Sequence, residues 1–308
     1  MRTSVIQNGI ALITVMLIVA LATITAVAMT TRQQLDIRRT ANLLNNEQAY
    51  MYALGGESWV KQILWRDSQE NTIDGLNEIW ATHLPPLPIP GGTLQGQIED
   101  LQGRFNLNNL LSEGQPSQED IILFERLLRI LELSPNLVQE MVDWIDTDME
   151  AQIPNGAEDN VYLMKTPAYR TSNTLLNSPS EIRLLASFDN QSYQKLLPYI
   201  SALPTRTSIN VNTAPLQILM ALAEGLNETD VLPLIEGREN QPFSSLQDFL
   251  SHNALAGLVV DIKNLSVSSQ YFLLTTQVEI DRGRVQLNSL LYRSPDEIKV
   301  IMRSQGEI

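Results

Sequence analysis

Ile10 to Met29 reads IALITVMLIVALATITAVAM, a run of twenty residues with no charged side chain. Coiled into a helix it spans roughly 30 Å, the depth of the hydrocarbon layer of a bilayer. Its approach is short and polar: Met1–Gly9, MRTSVIQNG, carries Arg2 as its only charged side chain. Thr14, Val15, Thr23, Thr25 and Val27 interrupt the leucines and isoleucines, and such small or β-branched residues let helices pack closely in lipid. Three readings fit the run. It is a secretory signal cut at the small-x-small site Ala26-Val27-Ala28, a plain membrane anchor, or the start of a retained apolar helix whose short leader is cut off directly after Gly9.

The residues behind the run discriminate. From Thr31 to about Trp65 there is no proline, and Leu35, Leu43, Leu44, Tyr50, Leu54, Val60, Ile63 and Leu64 recur mostly at helical steps. A signal that is removed needs no helical continuation in phase behind it. The pattern predicts one helix from Ile10 to about Trp65, on the order of 85 Å long, half in lipid and half amphipathic. Gly55-Gly56 is its weak point, at about 1 kcal/mol per glycine relative to alanine, and a bend is expected there.

The chain has 308 residues, 35 acids against 21 bases, a net charge of −14 and no cysteine. That balance disfavours nucleic acid and anionic lipid as partners and favours cations or basic surfaces. Disulfides, thiol chemistry and cysteine-based zinc sites are excluded. Charge counting does not orient the membrane run, because Arg2 precedes it while Arg32, Arg38 and Arg39 come after it.

Farther along, Pro85-Pro86-Leu87-Pro88-Ile89-Pro90-Gly91-Gly92 ends the helical region. Thr93–Leu107 alternates as two short strands turned near Gln102-Gly103. Ser117–Leu133, Pro135–Ile145 and Ser178–Phe188 then read as helices, the last with Ser178-Pro179 as cap and first position. Ile209–Leu250 holds two or three more. After Leu265 the pattern reverts to strands, with Asp281-Arg282-Gly283-Arg284 as a turn. Strands thus flank a helical block from about 110 to 263. The expectation is an α+β fold: one antiparallel sheet packed on the N-terminal helix, with the block inserted into it.

Two constellations carry chemistry. Between 143 and 159 there are six acids (Asp143, Asp146, Asp148, Glu150, Glu158, Asp159) and no base, with Asn155-Gly156 among them. Calcium takes six to eight oxygens, but the EF-hand order fails here: counted from Asp146, position six is Ala151 and position twelve Ala157. A solvated acidic loop has the same spacing as an irregular calcium site. The second is Ile209-Asn-Val-Asn-Thr-Ala-Pro215 through Phe243–Phe249, with Gly225-Leu226-Asn227 between, which looks like a helix-hairpin-helix unit of a kind used on DNA. It holds six acids (Glu224, Glu228, Asp230, Glu236, Glu239, Asp248) against Arg238 alone, the wrong sign for phosphate. A membrane-tethered DNA-uptake protein is therefore the rival reading, and a compact module for protein contacts the favoured one. Catalysis has little support: His83 and His252 have no nucleophile partner by spacing, and no G-x-S-x-G, P-loop or H-E-x-x-H occurs. The four tryptophans, Trp59, Trp65, Trp80 and Trp144, read as core or interface residues.

Gln7-Asn8-Gly9 followed by Ile10-Ala-Leu-Ile-Thr14-Val resembles the leader junction of the minor pseudopilin K family of type II secretion systems, and the resemblance extends over essentially the whole chain. It implies cleavage by prepilin peptidase after Gly9 and Ile10 as a methylated mature N-terminus. Thr14 stands at the fifth mature position, where most pilins carry glutamate and this family does not. An intramembrane carboxylate costs about 2.5–3.5 kcal/mol unless neutralised, and a subunit with none above it has no neighbouring amine to pair with. The resemblance implies a pilin-like fold divided as leader 1–9, membrane helix 10–29, amphipathic continuation 30–66, pilin-like parts 67–109 and 264–308, inserted helical domain 110–208 and helix-hairpin-helix part 209–263. It also implies an inner-membrane anchor with a cytoplasmic N-terminus, and association with minor pseudopilins I and J at the tip of a periplasmic pseudopilus. Secretin and exported substrates are further contacts on the same ground. The stretch DWIDTDMEAQIPNGAEDNVYLMKTPAYRTSN, residues 143–173, resembles the family's insertion, which implies bound calcium. The ligands expected are Asp146, Asp148, Glu158 and Asp159, with Asp143 and Asn160 behind them.

Overall fold

The computed structural model describes residues 8–83 and 85–306; most of the leader expected over residues 1–9 lies outside them. A single helix, α1 (Asn8–Glu70), runs for 63 residues, on the order of 95 Å. It stays helical through Gly55-Gly56, where propensity is weakest, and ends five residues past Trp65. The reason lies in its partner. Ala49, Ala53, Val60 and Leu64 are buried against a sheet on both sides of the glycine pair, so packing supports the helix where propensity is weakest.

The sheet has five strands, β1 (Leu87–Ile89), β2 (Gly92–Asp100), β3 (Tyr271–Ile280), β4 (Gly283–Arg293) and β5 (Ile298–Gln305). They are hydrogen-bonded in chain order, and every pair is antiparallel. The β3–β4 hairpin closes tightly, Ile280 opposite Gly283, so its loop is Asp281-Arg282 and shorter than the sequence suggests. One face of the sheet takes α1. Phe272, Leu274, Leu291 and Ile298 pack with Val60, Leu64 and Trp80, and Val278, Ile280 and Leu287 pack with Ala49 and Ala53. Glu57 of α1, buried in that interface, accepts a two-pronged pair from Arg303 at 2.8 and 2.9 Å and a bond from Ser289 Oγ at 2.7 Å. Burial pushes the Glu57 carboxyl up, but the Arg303 and Ser289 hydrogen bonds outweigh it and leave the group below the ordinary glutamate value.

The helical block occupies the connection between β2 and β3. These strands are neighbours, with Asp100 opposite Phe272, so the chain leaves the sheet and re-enters it at one place. The block's limits are wider than expected. Leu101–Gly103 is a 3-10 turn, and Phe105-Asn106 pairs in parallel with Ile200-Ser201 instead of forming a hairpin with β2. Phe105, Leu107 and Leu265, placed by pattern in the pilin-like flanks, belong to the block's core. Its helices are α2 (Gln118–Ile130), α3 (Leu137–Ile145), α4 (Asp159–Tyr162), α5 (Asn190–Leu196), α6 (Leu216–Ala221), α7 (Glu228–Asn240) and α8 (Leu246–Leu250). Ser178-Pro179 caps as expected, but the element it starts is a 3-10 helix, Pro179–Leu184. One apolar core joins residues 105–202 with 209–265.

Polar side chains rivet block to sheet. Asp100 accepts from Gln102 N at 2.8 Å, Ser269 Oγ at 2.6 Å, Thr213 Oγ1 at 2.5 Å and Asn210 Nδ2 at 3.0 Å. Arg293 donates to Asp67 of α1 at 3.0 Å, to Asp74, and to the Ser269 carbonyl at 2.6 Å, with its guanidinium over the Phe272 ring. Rod, sheet and block meet at this arginine.

Candidate functional site

The N-terminal part of α1 stands alone. Ile10 to Met29 are all exposed, and α1 is the one helix among the described residues long and apolar enough to cross a membrane. Its threonines need no outside partner. Thr14 Oγ1 donates to the Ala11 carbonyl at 2.9 Å, Thr23 to Val19 at 2.8 Å and Thr25 to Leu21 at 2.8 Å. In lipid an unpaired hydroxyl is costly, and each of these is satisfied within its own helix. Gly9 and Ile10 lie within the first turn of α1, on continuous helical backbone.

The acidic stretch forms at the end of α3. Asp146 terminates that helix, its N–H on the Val142 carbonyl, and Glu158 immediately precedes α4. One carboxylate oxygen each from Asp146, Asp148 and Glu158 lies within 4.8 Å of the others. Asp146 and Glu158 are each only 3% exposed, whereas Asp148 is open to solvent. Asp146 Oδ1 and Glu158 Oε1 are buried and accept no hydrogen bond; the other Glu158 oxygen takes Thr171 Oγ1 at 3.1 Å. Burial, reinforced by the Asp148 charge, pushes Asp146 up to about 6. Glu158 is raised as well, chiefly by burial, against the hydrogen bond from Thr171.

The remaining expected ligands are used differently. Asp143, fully buried, accepts the Gln152 N–H on both oxygens at 3.1 Å, and burial pushes it up to about 7. A Cβ at Gly156 would collide with Asp143 Oδ2 and the Gln152 backbone, so the turn closes only with glycine there. Asp159 is tied to Thr171 N and Oγ1, both at 3.1 Å, and to Arg170 at 3.5 Å, outside the trio. Asn160 is exposed on α4 and also outside it. The residue that spacing did not single out is Asn173. Its N–H donates to the Trp144 carbonyl at 3.0 Å and its Nδ2 to the Asp148 carbonyl at 3.1 Å, while its buried Oδ1 has no partner.

This arrangement fits a hard divalent cation. All donors are oxygens, the trio has no ion-pair partner among the described residues, and buried acceptors stand unpaired. A second trio, Asp67, Asp74 and Glu78, already holds Arg293 and therefore resembles an ion-pair joint more than a metal site.

The helix-hairpin-helix-like part offers phosphate no cation. Arg238 is buried, donating to the Val211 and Ala214 carbonyls, and no other base lies between 209 and 250. Asn212 clasps Phe243 through both backbone groups, N–H at 2.8 Å and carbonyl at 3.1 Å, so the motif's asparagines hold the module together.

Comparison with known proteins agrees with this geometry. The family described as Type II secretion system (T2SS), protein K matches residues 103–205 and 209–268, most of the inserted block. Type II secretion system protein K of Pseudomonas aeruginosa is 39% identical over 98% of this chain and 93% of its own length. That of Klebsiella pneumoniae is 35% identical over 97% of each. A chain in the crystal structure of the GspK-GspI-GspJ complex from enterotoxigenic Escherichia coli superposes with a TM-score of 0.76 at 27% identity, over 88% of this chain and 100% of that one. Matched along nearly its whole length in sequence and along most of it in structure, the chain belongs to the type II secretion system protein K family.

Proposed function

We propose that this chain, a minor pseudopilin of type II secretion and a structural component of that machinery, stands at the tip of the pseudopilus with minor pseudopilins I and J, and that its head carries structural calcium. Its apolar helix anchors it in the inner membrane, with the N-terminus cytoplasmic and the head periplasmic after prepilin peptidase cuts between Gly9 and Ile10. The observation that carries the tip position is Thr14. Its hydroxyl is satisfied by Ala11 of the same helix, so this position asks nothing of a subunit above. The bulk of the block, hung on one end of the sheet, would obstruct another subunit added over it. Asp146, Asp148 and Glu158 would hold the calcium, which when bound supplies the positive charge that three clustered carboxylates lack.

N-terminal sequencing of the membrane-fraction protein, co-expressed with the I and J pseudopilins and prepilin peptidase of its own system, tests the reading. A mature chain beginning at Ile10 and co-purifying with I and J is expected. One beginning at Met29, or one that leaves I and J behind, overturns it.

A further inference from the structure

Between the membrane run and the head, α1 crosses a bare neck. Every residue from Thr30 to Leu44 is exposed, and Asn45 is the first to be partly covered, donating to Asp281 of the β3–β4 loop at 3.4 Å. At 1.5 Å per residue the neck is roughly 22 Å long. It holds three bases, Arg32, Arg38 and Arg39, and one acid, Asp36, whereas the chain beyond Leu44 holds 17 bases against 34 acids. The neck is thus opposite in sign to everything it carries. No ion pair among the described residues includes any of the three arginines, and Asp36, one turn from both Arg32 and Arg39, pairs with neither.

Height along the rod decides what these charges meet. The hydrocarbon layer ends near Met29, and headgroups add roughly 5–7 Å on each side of a bilayer. Arg32, three residues on, lies within that zone, and Arg38 and Arg39 are rooted roughly 14 Å out. Helical side chains lean toward the helix N-terminus, which here points into the membrane, so both long stems reach back toward its surface. Screening at physiological salt still leaves about 8 Å of electrostatic reach beyond them. Arg32 and Arg39, seven residues apart, share one face of the helix, and Arg38 stands about 100° away from Arg39.

We propose that Arg32, Arg38 and Arg39 form a collar that binds the phosphates of anionic phospholipid headgroups where α1 leaves the membrane. This rests on the reading of Ile10–Met29 as a retained anchor and extends it. A guanidinium grips phosphate oxygens through parallel N–H bonds, which suits it to this ligand. The collar gives an acidic protein one attractive contact with a surface that repels the remainder.

The experiment is native mass spectrometry of the full chain in detergent micelles, titrated with phosphatidylglycerol or with phosphatidylcholine of the same acyl chains. Phosphatidylglycerol is expected to bind tighter by about tenfold or more, with the margin shrinking as salt rises. The triple variant Arg32→Gln/Arg38→Gln/Arg39→Gln is expected to bind both lipids alike. Arg282→Gln/Arg284→Gln, on the hairpin above the neck, is expected to keep the parent's preference. Equal binding of the two lipids by the parent overturns the proposal, as does a preference that survives the triple variant or is lost in the hairpin variant. A triple variant that keeps the preference but leaves the I and J pseudopilins behind assigns the arginines to a protein neighbour and overturns it too. A mature chain beginning at Met29 overturns the anchor and the collar together; one beginning at Ile10 without the lipid preference overturns the collar alone.

Discussion

Two trios of carboxylates sit in this molecule, each with oxygens within 4.8 Å of one another, and they have opposite answers to the same electrostatic problem. In the first, Asp67 and Asp74 pair with a cation that the chain supplies, Arg293, whose guanidinium also reaches the Ser269 carbonyl and covers Phe272. Glu78 there is further satisfied by Trp80 Nε1 and Asn71 Nδ2, each at 2.7 Å. Asp146, Asp148 and Glu158 have no such cation among the described residues; Asp146 Oδ1 and Glu158 Oε1 are buried and unpaired, as Asp74 Oδ1 is in the first trio, so the difference between the trios is the counter-charge. The contrast teaches that proximity of acids does not define a metal site. What defines it is acid without an internal counter-charge.

Removing the internal cation is the severest test of that contrast. Arg293→Met should leave buried carboxylates unpaired and cost about 3–5 kcal/mol of stability in denaturant titrations of the full chain. A loss below about 1 kcal/mol would mean that the arginine is not what balances the trio. Adding the external cation comes next. Calcium at a hundredfold over its dissociation constant should stabilise the chain by about 2.7 kcal/mol, read as a rise in Tm. Asp146→Asn should remove most of this gain and Asp67→Asn none of it; the reverse pattern would exchange the two trios' roles.

The smallest effect is a proton's. Burial, then the Glu78 and Asp74 charges, push Asp67 up to about 7, with Arg293 pulling the other way. The unfolded chain releases this proton near the ordinary aspartate value. The folded state therefore holds it more tightly, and Asp67 favours folding at low pH and loses that contribution as pH rises through 7. In saturating calcium, the parent should gain about 1 kcal/mol between pH 8 and pH 6 relative to Asp67→Asn. Parallel pH profiles for the two proteins would show that Arg293 alone balances the joint.

Long-period features were legible in the chain itself. The apolar run and its in-phase continuation announced α1, and alternation after Leu265 announced β3 to β5, because one periodic face suffices to identify each. What failed were partnerships. Phe105 and Leu107 alternate with Leu94 and Ile98 well enough to suggest a hairpin, yet Phe105 pairs in parallel with Ile200, which no local pattern can reveal. The same limit applied to the acids. Asp146, Asp148 and Glu158 were identifiable by density, but Asp159 was indistinguishable from them until its bonds to Thr171 and Arg170 were visible. Asn173 is an ordinary polar residue in the sequence, and only its unpaired oxygen sets it apart.

Because the helical block departs from β2 and rejoins at β3, side by side, any pull on it is delivered to a single open end of the β2–β3 ladder. Under such a load hydrogen bonds fail in succession from Asp100–Phe272 inward, the way a zip opens, instead of sharing the strain along their length. The network of Asp100, Asn210, Ser269 and Arg293 sits at that first tooth. It is where a head loaded through its inserted block would need its strongest fastening.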